Sequence, residues 1–445
     1  MLSLLALAVP CQAGAGTLSL KEALGIAYQT NPDLEGARAA VRAIDEGVAQ
    51  ANAGWRPTIS AAGSYGIQTM SVVGASKPLN AHPLVGQVTI TEPVFRGGRT
   101  YAQVSKAKSD VRAARYELLQ TEQQIMLQGI TAYMDVVRDS IILGYNRENV
   151  RSLQTQLDAV QTQFKSGAVT KTDVLESQSR LARAKTDVAS AERQLATSRA
   201  TFQNVIGRPA ETLEGNSAVP AVPNSRDMAE QIALAQHPNV LDAKARARSA
   251  DLAVDDAAGA LLPQVSLQGQ YQYFKDQASI FSKLPTQQVL SVTGQMSVPI
   301  YQGGGDEATV RRAKQLRQQS VMAINGSQRD VVQSVDSAWQ DYQSALTAIQ
   351  TSGEAVTASQ AAVDGVKQEQ GAGERSVIDI LNAQQELLSA QVALASARHD
   401  RVVAAYRLLS ATGQLNARSL GLDVRLYDPR DHYYENSSSW FGTDD

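Results

Sequence analysis

Two stretches of the chain are the same stretch written twice, 206 residues apart. Asn31-Pro32 corresponds to His237-Pro238, Pro57 to Pro263, Pro93 to Pro299, Gly97-Gly98 to Gly303-Gly304, Tyr133 to Trp339 and Gly207 to Gly413, each pair differing by 206. A constant offset with no insertion means one fold unit copied in tandem, so any element assigned in one half must find its counterpart in the other. Boundaries follow directly: a first repeat over 16–215, a Pro/Asn/Ser-rich linker over 216–225, a second repeat over 226–420 and a tail over 421–445. Residues 1–15 carry the apolar run Leu2 to Val9 and then small residues around Cys11, the shape of a secretory signal whose basic start is missing.

Within each repeat the hydrophobic period changes in the same order. An amphipathic helical run comes first, Leu20 to Gly54 and Asp227 to Leu262, broken early by its Asn-Pro or His-Pro pair and closed by Pro57 or Pro263. The period then drops to two. Val265, Leu267, Tyr271 and Tyr273 point one way and Gln264, Ser266, Gln268, Gln270 and Gln272 the other, with Ile59, Ala61, Tyr65 and Ile67 repeating the pattern in the first half. Return strands follow at Val88–Ile90 and Leu290–Val298, giving hairpins over 58–95 and 264–301 whose strands have the length of a membrane-crossing strand, ~10 residues. Four strands cannot close a barrel, and an open edge is not tolerated in lipid. Two chains would supply eight strands and a filled interior; three would supply twelve and a wider lumen, which the Gln, Ser and Thr face suits. The sequence thus predicts a trimer sharing one twelve-stranded barrel.

Diglycine turns lead from the strands into very long helical runs, Thr100 to Lys165 and Asp306 to Gln370, each roughly 100 Å at 1.5 Å per residue. Turns at 165–172 and 371–378 reverse the chain into return helices that reach about half as far. A return helix stacked on the opening helix of the other half would match one long helix. Heptad columns run down the return helices: Val174, Leu181, Val188, Leu195, Phe202 with Ser177, Ala184, Ala191, Ser198, Val205 in the first, and Ile380, Leu387, Leu394, Arg401, Leu408 with Ala383, Ala390, Ala397, Ala404, Ala411 in the second. In the first long run Val104, Val111, Leu118 and Ile125 share one phase and Val150, Leu157 and Phe164 another, which predicts a change of packing partner near Tyr133 to Tyr145, an equator. The tail after Leu422 has no period and is expected to drape over that equator or to stay without order.

Composition excludes more than it assigns. Lys and Arg number 41 against 44 Asp and Glu, a net charge of −3, and this gives no support to nucleic-acid binding. His82, His237, His399 and His432 are scattered without metal-ligand spacing, and no nucleophile elbow is visible, so neither catalysis nor a metal or other cofactor is expected. Gly303-Gly304-Gly305 before a helix lacks the lysine of a phosphate loop and matches Gly97-Gly98, a strand-to-helix turn.

The Leu20 to Asn31-Pro32 opening, the hairpin ending in Glu92-Pro93-Val94-Phe95-Arg96-Gly97-Gly98, the tip ending in Asp-Val-Leu at 173–175 and the duplication itself resemble the TolC-like outer membrane efflux proteins over nearly the whole chain. The tail, with Tyr427-Asp428-Pro429 and Trp440-Phe441-Gly442, is similar to that of TolC-type proteins of type I protein secretion. The resemblance implies a mostly α channel-tunnel with membrane β: a homotrimer whose barrel lies in outer membrane lipid and whose helical tube crosses the periplasm of a Gram-negative bacterium. It further implies an inner tip opened by a periplasmic adaptor with an inner-membrane ABC or proton-driven transporter, for type I protein secretion or multidrug efflux. Carried over by position, Asp379 matches the first aspartate of the family's entrance ring, Arg375 the tip arginine, and Thr172 and Asp173 its partners on the neighbouring helix pair. Asn382 stands where the family has a second ring aspartate, and Gln370 where it has a tip tyrosine. Gly167, Ala168, Gly373 and Glu374 fall at the turns that would meet the adaptor. Asp173 and Asp379 also read as capping acids three residues after Thr170 and Ser376. Two other readings fit part of the pattern: a periplasmic adaptor, which would carry one helical hairpin, and a structural coiled-coil component of an envelope assembly, which leaves the glutamine-rich strands unexplained.

Overall fold

A computed structural model describes residues 17–71, 73, 77–215, 219–277, 285–372, 374–440 and 442. The expected signal segment with Cys11, and Gly373, lie outside these. The duplication holds in the backbone. Helices α1 (Leu20–Thr30) and α2 (Pro32–Asn52) are answered by α5 (Arg226–Gln236) and α6 (Pro238–Gly259). The long helices α3 (Arg99–Lys165) and α7 (Gly305–Gly371) have 67 residues each, and α4 (Lys171–Ile206) is answered by α8 (Val377–Ala411). The starts of α2 and α6, α3 and α7, and α4 and α8 are each 206 apart. Gly97 and Gly303 share φ near +62° and +63°, and Gly207 and Gly413 +84° and +77°, so the turns were copied with their left-handed residues.

The chain divides into two units. One comprises the described residues within 38–117, 239–327 and 428–442, and it holds the sheet. Strands β1 (Thr58–Tyr65), β4 (Leu84–Arg96), β5 (Gln264–Lys275) and β6 (Gln287–Ser297) form one antiparallel sheet in the order β1-β4-β5-β6. Its register keeps unlike side chains apart: Ala61, Val88, Tyr271 and Leu290 fall in one cross-strand row and Ile59, Ile90, Gly269 and Val292 in another, while Ser60, Thr89, Gln270 and Ser291 share a polar row. Gln272 Nε2 donates to Gln87 Oε1 across the β4–β5 pair at 3.2 Å, and Gln87 Nε2 to Thr89 Oγ1 at 2.9 Å. A bulge lies between Pro93 and Phe95, where the proline has no N–H to give the ladder. The first hairpin has an additional short pair, β2 (Gln68–Met70) with β3 (Leu79–Ala81), where alternation suggested one longer strand; the second ends at Ser297, four residues before the expected boundary. No helix among the described residues is long and apolar enough to cross a membrane.

The tail from residue 428 on packs on this unit and includes a short helix, α9 (Asp431–Asn436), which the aperiodic sequence did not suggest. His432 Nδ1 lies 3.6 Å from Asp45, a carboxylate 1% exposed that Arg115 also approaches at 3.5 Å. Burial raises the Asp45 carboxyl above its ordinary range, against the pull of Arg115 and His432. Arg115 lies over the Tyr433 ring, Arg56 over Trp440 at 4.5 Å, and Asn52 donates to the Ser437 carbonyl at 3.0 Å. The tail thus begins on α1, near the expected equator, where the Tyr427 N–H donates to the Tyr28 hydroxyl at 3.1 Å, and from residue 428 on it runs against α2 and Arg56.

The other unit comprises residues 17–37, 118–238 and 328–427. Tyr133 and Phe202 are fully buried against each other, ring centroids 6.2 Å apart, and the Tyr133 hydroxyl lies 2.8 Å from the Leu18 carbonyl and 3.0 Å from that of Glu214. Burial pushes the Tyr133 hydroxyl up to about 12. Each return helix meets the opening helix of its own half, contrary to the expected stacking on the other half. Asn31 Nδ2 donates to the Val205 carbonyl at 3.1 Å, and a Cβ at Gly413 would sit 2.8 Å from His237 Cα. The last carbonyls of α4 need donors, and the Asn-Pro break supplies one.

The first phase of α3 does not stop at the expected switch. Val104, Val111, Leu118, Ile125, Ala132, Asp139, Asn146, Leu153 and Val160 form one seven-residue column, all buried. Asp139 and Asn146 hid the column from a hydrophobicity count. Their polar atoms find partners: Ser198 Oγ of α4 donates to Asp139 Oδ2 at 2.5 Å, and Asn146 Nδ2 to the Ile142 carbonyl of its own helix at 2.9 Å. Of the expected second phase, Leu157 is buried and Val150 packs on the same core, while Phe164 is exposed. On α8 the fully buried column is Leu381, Leu388, Ala395, Val402 and Leu409, one residue round from the expected one, whose Leu387, Leu394 and Arg401 are half-buried. Beside it His399 bridges two carboxylates, Nε2 3.1 Å from Asp135 and Nδ1 2.8 Å from Asp400, with Arg138 pairing Asp135 and Asp139 at 2.8 Å each.

Candidate functional site: the helical tip

Each long helix ends where its backbone can be reversed cheaply. At the end of α3 the Ala168 N–H reaches back to the Gln163 carbonyl at 2.9 Å and the Gly167 N–H to that of Phe164 at 3.0 Å, with Gly167 at φ +79°. This is a Schellman closure, and its left-handed residue is the reason for the glycine. At the end of α7 the Glu374 N–H makes the corresponding bond to the Glu369 carbonyl at 2.9 Å.

The next helices start from capping boxes. Asp173 Oδ2 accepts from the Thr170 N–H and hydroxyl, both at 2.8 Å, and the Asp173 N–H returns a bond to Thr170 Oγ1 at 3.2 Å. Asp379 Oδ2 accepts from the Ser376 N–H at 3.0 Å and hydroxyl at 2.7 Å. The Ser376 hydroxyl, then its backbone N–H, hold the Asp379 carboxyl below its ordinary range, so it is an anion at neutral pH. Both aspartates thus serve as caps, and capping leaves Asp379 charged.

Of the other candidates, Arg375 is exposed and its Nε lies 2.9 Å from Glu369 of its own turn. Its within-chain partner is therefore neither Thr172, exposed in the first turn of α4, nor Asp173. Asn382 accepts a hydrogen bond at 3.1 Å from Arg180 Nη2, a residue not picked out by its pattern. Its only sequence signal was the Glu176 four residues before it, which binds Arg180 Nε at 3.1 Å. Gln384 Nε2, likewise not singled out, donates to Ser152 Oγ at 3.0 Å. Between these bonds Val377 and Leu381 of α8 share an apolar core with Leu153, Leu157 and Val160 of α3 and Leu181 and Ala184 of α4. Gln370 is half-buried near the end of α7.

Tandem helical hairpins that alternate with β-hairpins sharing one sheet define the class of outer membrane channel-tunnels. The sequence profile of the family described as "Outer membrane efflux protein" matches residues 23–208 and again 230–414, and the chain belongs to that family. The two matches repeat the internal duplication. Among relatives, the outer membrane efflux protein BepC of Brucella suis biovar 1 is 33% identical over 426 residues, spanning 95% of this chain and 91% of the relative. TolC of Escherichia coli K12 is 26% identical over 92% of this chain and 85% of its own. The alkaline protease secretion protein AprF of Pseudomonas aeruginosa is 24% identical over 76% of this chain and 71% of its own. The crystal structure of VceC from Vibrio cholerae superposes with a TM-score of 0.77 at 18% identity, over 88% of this chain and 96% of that one, and that of CusC with 0.79 at 17%, over 88% and 91%. The protein is an outer membrane protein with the fold of a channel for efflux or secretion, which displaces the adaptor and structural coiled-coil readings.

Proposed function

We propose that three copies of the chain form one channel-tunnel, a twelve-stranded barrel in the outer membrane continued by a helical tube through the periplasm. It gives passive exit to cargo delivered by a periplasmic adaptor and an inner-membrane ABC or proton-driven transporter. The observation that carries this is the sheet: four strands of 8, 13, 12 and 11 residues per chain, apolar and polar rows on opposite faces, and two unpaired edges, β1 and β6. Lipid does not satisfy open edges, so β6 of one copy pairs with β1 of the next, and twelve strands leave a lumen that the Gln, Ser and Thr rows keep wet. In this reading Thr172, Asp173, Arg375, Asp379 and Asn382 surround the inner entrance, with Arg375 reaching Thr172 or Asp173 of a neighbouring copy. Gly167, Ala168, Gly373 and Glu374 face the adaptor.

The relatives named for protease secretion and for pyoverdine export favour no single cargo. Native mass measurement of detergent-extracted protein checks the assembly: a trimer is expected, and a stable monomer overturns it. In planar bilayers Arg375→Ser is expected to raise single-channel conductance, because three exposed links of up to ~1 kcal/mol each together bias a two-state entrance. Unchanged conductance removes Arg375 from the gate.

A further inference from the structure

The first two turns of α8 carry Asp379 and Asn382, the residues expected to narrow the entrance, and within one chain they are gripped from both sides. Around the helix Asn382 lies about 100° to one side of Leu381 and Gln384 about 60° to the other, so the two amides flank the apolar contact. On one flank Arg180 of α4 donates to Asn382 Oδ1 at 3.1 Å, and on the other Gln384 donates to Ser152 of α3 at 3.0 Å. The two flanks differ in strength. The Ser152 bond is neutral, whereas the Arg180 bond is charge-assisted, and Arg180 is preset for it because Glu176 holds its Nε at 3.1 Å. Only a quarter of the Arg180 side chain is exposed. Its Nη2 reaches across to the other repeat.

We propose, resting on the channel reading above, that Arg180 is a positioning residue of the closed entrance: its bond to Asn382 latches the entrance-bearing turn of α8 to the first-repeat hairpin of the same subunit. Opening swings that turn away and breaks the bond. Asparagine at 382 is then a functional choice, an acceptor strong enough to hold a guanidinium and weak enough to release it, where an aspartate would form an ion pair.

Single-channel conductance and thermal melting of the full-length protein in bilayers and detergent, compared for wild type, Arg180→Gln, Asn382→Ala, the double variant and Asn382→Asp, test the latch. Arg180→Gln and Asn382→Ala are each expected to raise conductance about twofold or more, and the double variant no further than the larger single one, since both remove the same bond. Asn382→Asp is expected to lower conductance below wild type while Arg180 is present, and to lose that effect when Arg180→Gln is added. Melting moves little in all four, which separates a latch from a packing role. Conductance indifferent to Arg180→Gln, or effects of the two single variants that multiply, overturn the latch alone. Should either single variant misfold, the direction of Asn382→Asp decides. A wild-type protein that forms no pore overturns the channel reading and the latch with it.

Discussion

His399 lies between Asp135 and Asp400, and its ring takes up a proton more readily than a free imidazole even though burial, the largest influence, opposes it. The hydrogen bonds to Asp135 and Asp400 outweigh burial and the repulsion of Arg138. Because the folded pKa is raised, the stabilisation is fully present below the ordinary histidine value of 6.5 and is lost as pH rises through the folded value. Asp135 works in the opposite sense: its folded pKa is depressed, so its contribution is present above 3.8 and is lost as pH falls. His399→Gln should therefore cost about 1–3 kcal/mol in mildly acidic solution and less in alkaline solution. Melting temperatures of variant and wild type across pH check this; a gap that widens on the alkaline side contradicts it. Gly97 offers a second test at this scale. A Cβ there would lie 2.2 Å from the Gly259 carbonyl oxygen, whereas Gly303, its repeat partner, has the same left-handed φ and open space. Gly303→Ala should cost the conformational strain alone, roughly 1–2 kcal/mol, and Gly97→Ala clearly more because backbone must also move. The yield and melting of the two variants distinguish them.

Among elements, the tail shows how an aperiodic segment can still be held. It gains order from α9 and from side chains of α2 and its neighbours, Asn52, Arg56 and Arg115, that reach its carbonyls and rings. Ending the chain after Tyr427 removes these partners and leaves Asp45 without His432. Hydrogen exchange of the C-terminal turns of α2 should then accelerate, while the tip around Thr170 keeps wild-type rates; uniform acceleration would contradict a local strap. The Tyr133–Phe202 contact has the opposite character, since both rings are fully buried. Phe202→Ala should cost about 3–5 kcal/mol, read from denaturant midpoints.

The whole assembly has a test in the strand order. Because β4 and β5 lie between β1 and β6, at about 4.8 Å per step, the two edges of one chain cannot be joined by a disulfide. With Cys11→Ser as background, one cysteine at Ala61 and one scanned along 287–297 should cross-link only between copies, in a ladder that stops at three. A ladder ending at two, or running on, would exclude the twelve-stranded ring. Much of this architecture was legible in the sequence because it is periodic: the 206-residue offset, the period of two in the strands and the left-handed glycines each leave a mark in one dimension. The caps at Asp173 and Asp379 were legible for the same reason, as partners three residues away. Decided only in three dimensions were the contacts between segments far apart: the unbroken α3 column through Asp139 and Asn146, the return helix closing on its own half, and the hold of Arg180 on Asn382, 202 residues away. A polar residue reads as surface until its partner is seen, and the partner's position is set by packing rather than by spacing.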